Sequence, residues 1–138
     1  FAVDDVSIYI DHPNADGDPL PDACDCRPAN PETFAIPFGI GGVNLDATNQ
    51  IVWSSGVPDS GADVRYDVMR GRLNELPVGG GADESCLATD LAVPAVGAGG
   101  SPVAGVGYYY LVRGSNDCGS GTYGTTSLAM ERISAVCP

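Results

Sequence analysis

The residues whose spacing says most about chemistry stand near the start of the chain. Asn14, Asp16, Asp18, Asp22 and Asp25 fall at positions 1, 3, 5, 9 and 12 of a twelve-residue stretch, and Leu20 falls at position 7. Calcium loops use that spacing: alternate side chains wrap a hard cation in oxygen, and position 7 lends a main-chain carbonyl. The pattern therefore predicts a calcium site made by Asn14, Asp16, Asp18, Leu20, Asp22 and Asp25. Two positions depart from the helix-loop-helix version of such loops. Position 1 is asparagine, and position 6 is Pro19, where that loop needs glycine. Prolines on both sides exclude two long flanking helices, so the site must be an irregular loop. Asp11 is near enough in sequence to add an oxygen. The plain alternative is a solvated acidic linker that binds nothing.

Five cysteines lie within the loop or beyond it: Cys24, Cys26, Cys86, Cys118 and Cys137. Cys24 and Cys26 are one residue apart, not two, and the single histidine, His12, is not spaced for zinc. Disulfides in an oxidising, extracellular setting fit better, and the odd count leaves one thiol unpaired or bridging two chains. Catalysis finds no support. His12 has no partner in any motif, Ser54, Ser55 and Ser115 have no histidine beside them, and Asp83 and Glu84 read as solvated groups in a glycine-rich loop. No Gly-x-Gly-x-x-Gly or phosphate loop stands between a strand and a helix. The expectation is a protein that is not an enzyme.

The elements that must position these residues are short. The 138 residues include 19 glycines and 11 prolines, too many for a helical bundle and suited to strands joined by tight turns. Eighteen acidic residues face six arginines and no lysine, a net charge of −12 that repels phosphate backbones and anionic lipid. Nucleic acid is therefore disfavoured as a partner. No apolar run approaches the roughly 18 residues a membrane helix needs. No signal-like segment opens the sequence, so any such segment is expected to have been removed or to lie upstream.

Three stretches separate. Residues 1–11 end in an alternation, Val6, Ile8 and Ile10 against Ser7, Tyr9 and Asp11, that reads as a half-buried strand. Residues 12–33 are the acidic, proline-rich loop. Residues 34–138 carry strand signals at about 40–46, 49–54, 63–70, 72–76, 86–92, 106–116 and 127–135. Seven short strands without helices between them predict an all-β fold: an antiparallel sandwich of the immunoglobulin type. Counting strands up and down puts Cys86 and Cys118 at one pole, which predicts a Cys86–Cys118 bridge. The same count puts Cys137 at the other pole, where a bridge to Cys24 or Cys26 would join two chains head to tail.

The segment NADGDPLPDACDC resembles the calcium-binding repeats of the thrombospondin type 3 kind. From Phe34 onward, FAIP, IVWSS, YDVMRG, ESCLAT, GYYYLVRGSNDCGSGTYG and ERISAVCP resemble the fibronectin type III-like domains that follow such motifs in secreted bacterial proteins. The likeness implies a structural calcium site, a sandwich serving as a spacer, adhesion or accessory module, and no catalytic residues. It also implies that Trp53 is buried and that Tyr108, Tyr110, Val112 and Gly114 face inward, with Tyr108 bonding back to the main chain. By alternation Val64, Tyr66 and Val68 face inward. Met69, Tyr109 and Leu111 face outward, fringed by Arg65 and Arg113, as an ordinary surface or a contact patch.

A strand at 1–11 ahead of a calcium loop must pair with something: its own sandwich, the sheet edge of a neighbouring copy, or a preceding domain. The second option makes Val6, Ile8 and Ile10 donor residues, with Phe1 and Val3 as further anchors. Head-to-tail contacts of that kind give open filaments. The expected function is thus a secreted structural module assembling into a filament or surface layer. The alternative is a monomeric accessory or adhesion module that binds a polysaccharide or cell surface through Met69, Tyr109 and Leu111.

Overall fold

The structure, a computed structural model, describes residues 12–138; the alternating stretch at 1–11, with Phe1, Val3, Val6, Ile8 and Ile10, lies outside the described residues. The described chain runs β1 (Asn44–Leu45), β2 (Gln50–Val52), a one-turn helix α1 (Val57–Ser60), β3 (Arg65–Arg72), β4 (Ser85–Leu91), β5 (Ala95–Gly97), β6 (Tyr108–Asn116) and β7 (Gly119–Ser120). The strands form two antiparallel sheets, ordered β1-β2-β5 and β4-β3-β6-β7, and make an all-β sandwich.

β3 and β6 carry the fold. They pair without a break from Arg65↔Ser115 to Arg72↔Tyr108. Their aromatic and β-branched residues suit a pleated surface packed on both sides. Between the sheets lie Val64, Tyr66, Val68 and Val112, closed by Ile51, Trp53 and Ala98. The Trp53 ring meets Tyr66 edge-on at 5.4 Å. The Tyr66 hydroxyl accepts the Gly56 N–H at 2.8 Å, so its polar end is satisfied inside the core. Inward-facing Val64, Tyr66 and Val68 and a buried Trp53 agree with the sequence reading.

Two predicted strands are absent. Residues 73–75 form a 3-10 turn, because Pro77 cannot donate to a ladder and Leu73 and Leu76 face solvent. Residues 127–135 form no strand; Thr125 and Glu131 make an isolated bridge around a tight turn in which the Thr126 N–H bonds the Met130 carbonyl. Leu128, Met130 and Ile133, within the predicted strand, are 77%, 59% and 70% exposed. β5, β7 and α1 are too short to leave a periodic signal.

The strand gained at β5, between β4 and β6, together with the one lost at 72–76, overturns the Cys86–Cys118 pairing. β4 and β6 are both antiparallel to β3, so they run the same way, and the start of one lies far from the end of the other. Cys86 sits opposite Met69 and bonds Cys137, with Cα atoms 5.0 Å apart. Cys118, beyond the far end of β6, bonds Cys26 at a Cα separation of 5.7 Å. Both bridges are within the chain, so the expected link from Cys137 to Cys24 or Cys26 of another copy is withdrawn. Cys24 is exposed and outside both disulfides.

The outward face of β3 and β6 is not a surface. Residues 121–138 cross it as an irregular strap held by Cys86–Cys137. Met69 is 0% exposed and packs with Tyr123 and Cys137, while Tyr109 and Leu111 are half-buried beside them. The expected contact patch of Met69, Tyr109 and Leu111 is therefore corrected to the floor of a second small core. Arg113 does not fringe a patch. It pairs with buried Asp67 at 2.9 Å and donates to the carbonyls of Cys137 and Pro138 at 3.0 and 2.9 Å. Among the described residues Tyr108 finds no main-chain partner for its hydroxyl; its ring lies under the Arg70 guanidinium, and the neighbouring Tyr110 hydroxyl reaches the Ala98 carbonyl at 2.9 Å.

Candidate metal centre

The loop at 12–33 is shaped by its own short polar side chains. Asn14 accepts the Gly17 N–H at 2.8 Å and donates to the Asp18 carbonyl at 2.7 Å. Gly17 has a φ of 79°, a left-handed turn that favours glycine. Asp22 accepts the Ala15 N–H at 2.8 Å, and its own N–H bonds the Pro13 carbonyl at 2.8 Å, closing the loop. Asx turns of this kind let a proline-rich stretch curl without a helix or sheet.

Three carboxylates converge inside that curl. Asp16, Asp18 and Asp25 each spend Oδ1 on a main-chain N–H, of Asp18, Leu20 and Arg27 at 3.3, 2.8 and 2.7 Å. Their Oδ2 atoms are buried and make no hydrogen bond. The gathered ligand oxygens lie within 4.8 Å of one another, close enough to share one cation. Asp25 is only 9% exposed, an unusual place for a carboxylate oxygen without a donor. The Asp18 carboxyl is pushed above its ordinary range by the loss of surrounding water and by the charges of Asp16 and Asp25, against the pull of the Leu20 N–H. A cation at the convergence would remove that repulsion. All three donors are carboxylate oxygens, which suit a hard ion. Of the six residues singled out in the sequence, Asp16, Asp18 and Asp25 converge, while Asn14 and Asp22 brace the loop that brings them together. Leu20 is half-buried between them in sequence and donates its N–H to Asp18.

The loop is fastened to the sandwich rather than hung from it. Cys26 is bonded to Cys118, the Asp63 N–H meets the Glu32 carbonyl at 3.0 Å, and the Thr33 hydroxyl meets Asp63 Oδ2 at 3.1 Å. Gly61, with a φ of 100°, permits this approach, since a β-carbon there would collide with the Glu32 carbonyl. The Cys26–Cys118 bridge spans 92 residues, for which the chain-entropy account gives about 4 to 5 kcal/mol.

A second polar cluster, at the start of β4, escapes sequence reading. Glu84 accepts the Gly79 N–H at 2.6 Å, the Tyr109 hydroxyl at 2.8 Å and the Ser134 hydroxyl at 2.9 Å. The expectation of a solvated Glu84 is corrected: it pins the strap to the sheet. Burial raises its pKa, but the bonds from Gly79, Tyr109 and Ser134 outweigh burial and hold it below the ordinary value. Ser134 is 50 residues away, so no local pattern could announce the contact. Asp83 pairs with Arg72 at 3.1 Å.

No protein-family model, curated protein or solved structure matches the chain. Among the described residues no helix is long and apolar enough to cross a membrane.

Proposed function

We propose that the chain is a secreted, calcium-stabilised structural module that assembles head to tail into a filament or surface layer through residues 1–11. The observation that carries the reading is the trio of buried, unpartnered Oδ2 atoms of Asp16, Asp18 and Asp25. Calcium would be held there by those carboxylates and would neutralise them. It would stiffen the passage between residues 1–11 and the sandwich, because the loop is bolted to Cys118 immediately afterwards. Two disulfides fit an oxidising, extracellular setting. The two-sheet sandwich with Trp53 inside supports the likeness to fibronectin type III domains, and the acidic curl supports the thrombospondin type 3 likeness. The alternative, an accessory module binding polysaccharide or a cell surface, has lost the face first assigned to it, since Met69 is buried.

The test is sedimentation and thermal melting of the full chain in calcium and after excess chelator. Assemblies that shrink on chelation support the whole reading. Calcium at ten times its dissociation constant stabilises by about 1.4 kcal/mol, or roughly 5 °C in a domain of this size. The Asp25→Asn variant should lose that rise. An unchanged melting temperature removes the calcium site; a monomer in both conditions removes the filament.

A further inference from the structure

Among the described residues, one edge of β6 is only partly paired. β6 is nine residues long and pairs with β3 along one edge from Tyr108 to Ser115. Along its other edge, β7 covers only Ser115 and Asn116. Beyond them, the Gly114 carbonyl accepts the Gly121 N–H at 2.8 Å. Main-chain groups alternate between edges with period two, so Tyr108, Tyr110 and Val112 aim their N–H and C=O the same way as Gly114. No described residue bonds those groups. Val112 is only 3% exposed, a position where unpaired main-chain groups are rarely left. All five residues from Tyr108 to Val112 are aromatic or apolar, a run a sheet edge must normally hide: Tyr-Tyr-Tyr-Leu-Val. By contrast, the edge strand β4 is broken by two register shifts against β3, a device that blunts edge pairing. A groove lined by Leu45, Ala98, Pro102, Tyr108 and Tyr110 opens at the start of β6.

We propose that Val6–Ile10 of a second copy of this chain pairs antiparallel with the Tyr108–Val112 edge of β6. This rests on the head-to-tail reading above and names its receiving site. The lengths agree, five residues against five. The alternation places Val6, Ile8 and Ile10 on the side of Tyr108, Tyr110 and Val112, where the main core lies, and Ser7 and Tyr9 on the side of Tyr109 and Leu111. The donor comes from another copy because of where the chain's own segment is tethered. Pro13 bonds Asp22, four residues before Cys26, and Cys26 is bonded to Cys118 beyond the end of β6. An antiparallel partner of β6 must finish at the opposite end, about 26 Å away at strand rise. A stacked neighbour carries no such tether, and the contact it makes is heterologous, which propagates.

Two full-length chains test the proposal, both with Cys24→Ala to prevent thiol exchange: one carries Ile8→Cys, the other Tyr110→Cys. Mixed in calcium and oxidised, they should form a reducible species of two chains, and a chain bearing both changes should form a ladder. A chain bearing both changes that closes only on itself overturns the proposal, because the segment then folds back within one molecule. Against misfolding of the cysteine variants, hydrogen exchange is followed in the unsubstituted chain. Amides of the 108–113 stretch should exchange about a hundredfold more slowly in assemblies than in the Ile8→Asp chain. Assemblies that form without that protection and without crosslinks overturn the β6 site while the filament reading survives. A chain that never assembles overturns both.

Discussion

The four-stranded sheet has two faces made by the same two strands, and they are closed in different ways. The inner face is covered by a second sheet and sealed with apolar side chains: Val64, Tyr66, Val68 and Val112 against Ile51 and Trp53. The outer face is covered by an irregular strap and sealed by point fastenings: Cys86–Cys137, Arg113–Asp67 and Glu84 with Tyr109 and Ser134. A sheet covering a sheet gains most from area. A strap without its own hydrogen-bond ladder must be held by specific polar and covalent links. The difference teaches that alternation along a strand tells which residues share a face, not whether the other face is wet.

The comparison breaks most readily on the inner side. Trp53→Ala should cost about 4 kcal/mol, read as a lower denaturation midpoint, because a large ring is removed from a core that cannot collapse around the void. On the outer side the largest effect should come from leaving one charge alone. Asp67→Ala strands Arg113, whose side chain is 17% exposed, and should cost about 3 kcal/mol. Replacing both, Asp67→Leu with Arg113→Met, should recover most of that loss, since a matched apolar pair removes the stranded charge. If the double variant is no better than Asp67→Ala, the fastening acts through the Arg113 bonds to the Cys137 and Pro138 carbonyls rather than through the ion pair.

The legible parts of the fold were those governed by short-range periodicity. Val64, Tyr66 and Val68 alternate within one strand, and Asp16, Asp18 and Asp25 lie within ten residues of each other, so their convergence needs only a local curl. What stayed hidden depends on distance along the chain. The 72–76 stretch has strand-like residues, but Pro77 and exposed leucines make it a turn, and the three-residue β5 is too short to read; one strand lost and one gained reverse the pole of Cys86 but not that of Cys118. The stretch at 127–135 has apolar residues enough to read as a strand, yet tertiary fastenings at Cys137, Arg113 and Glu84 draw it over the face. The burial of Met69 follows from that strap and from nothing near Met69 in sequence.

The smallest effect expected separates the two faces by pH. Glu84 has a pKa held below the ordinary glutamate value of about 4.3, because three donors favour its ionised form over the cost of burial. A group whose pKa is lower folded than unfolded binds more protons when unfolded. Its contribution is therefore complete above the ordinary value and is lost as pH falls through the lower, folded one. Hydrogen bonds to a charged group at this partly exposed site contribute about 1 kcal/mol after solvent screening. Glu84→Gln should lower stability by that amount at neutral pH and flatten the loss of stability below about pH 4, as read by denaturant titrations at stepped pH. The inner-face core holds no carboxylate, so the Trp53→Ala chain should keep the full acid slope. Equal slopes in Glu84→Gln and the unsubstituted chain would mean that Glu84 is not what makes the strap's attachment sensitive to acid.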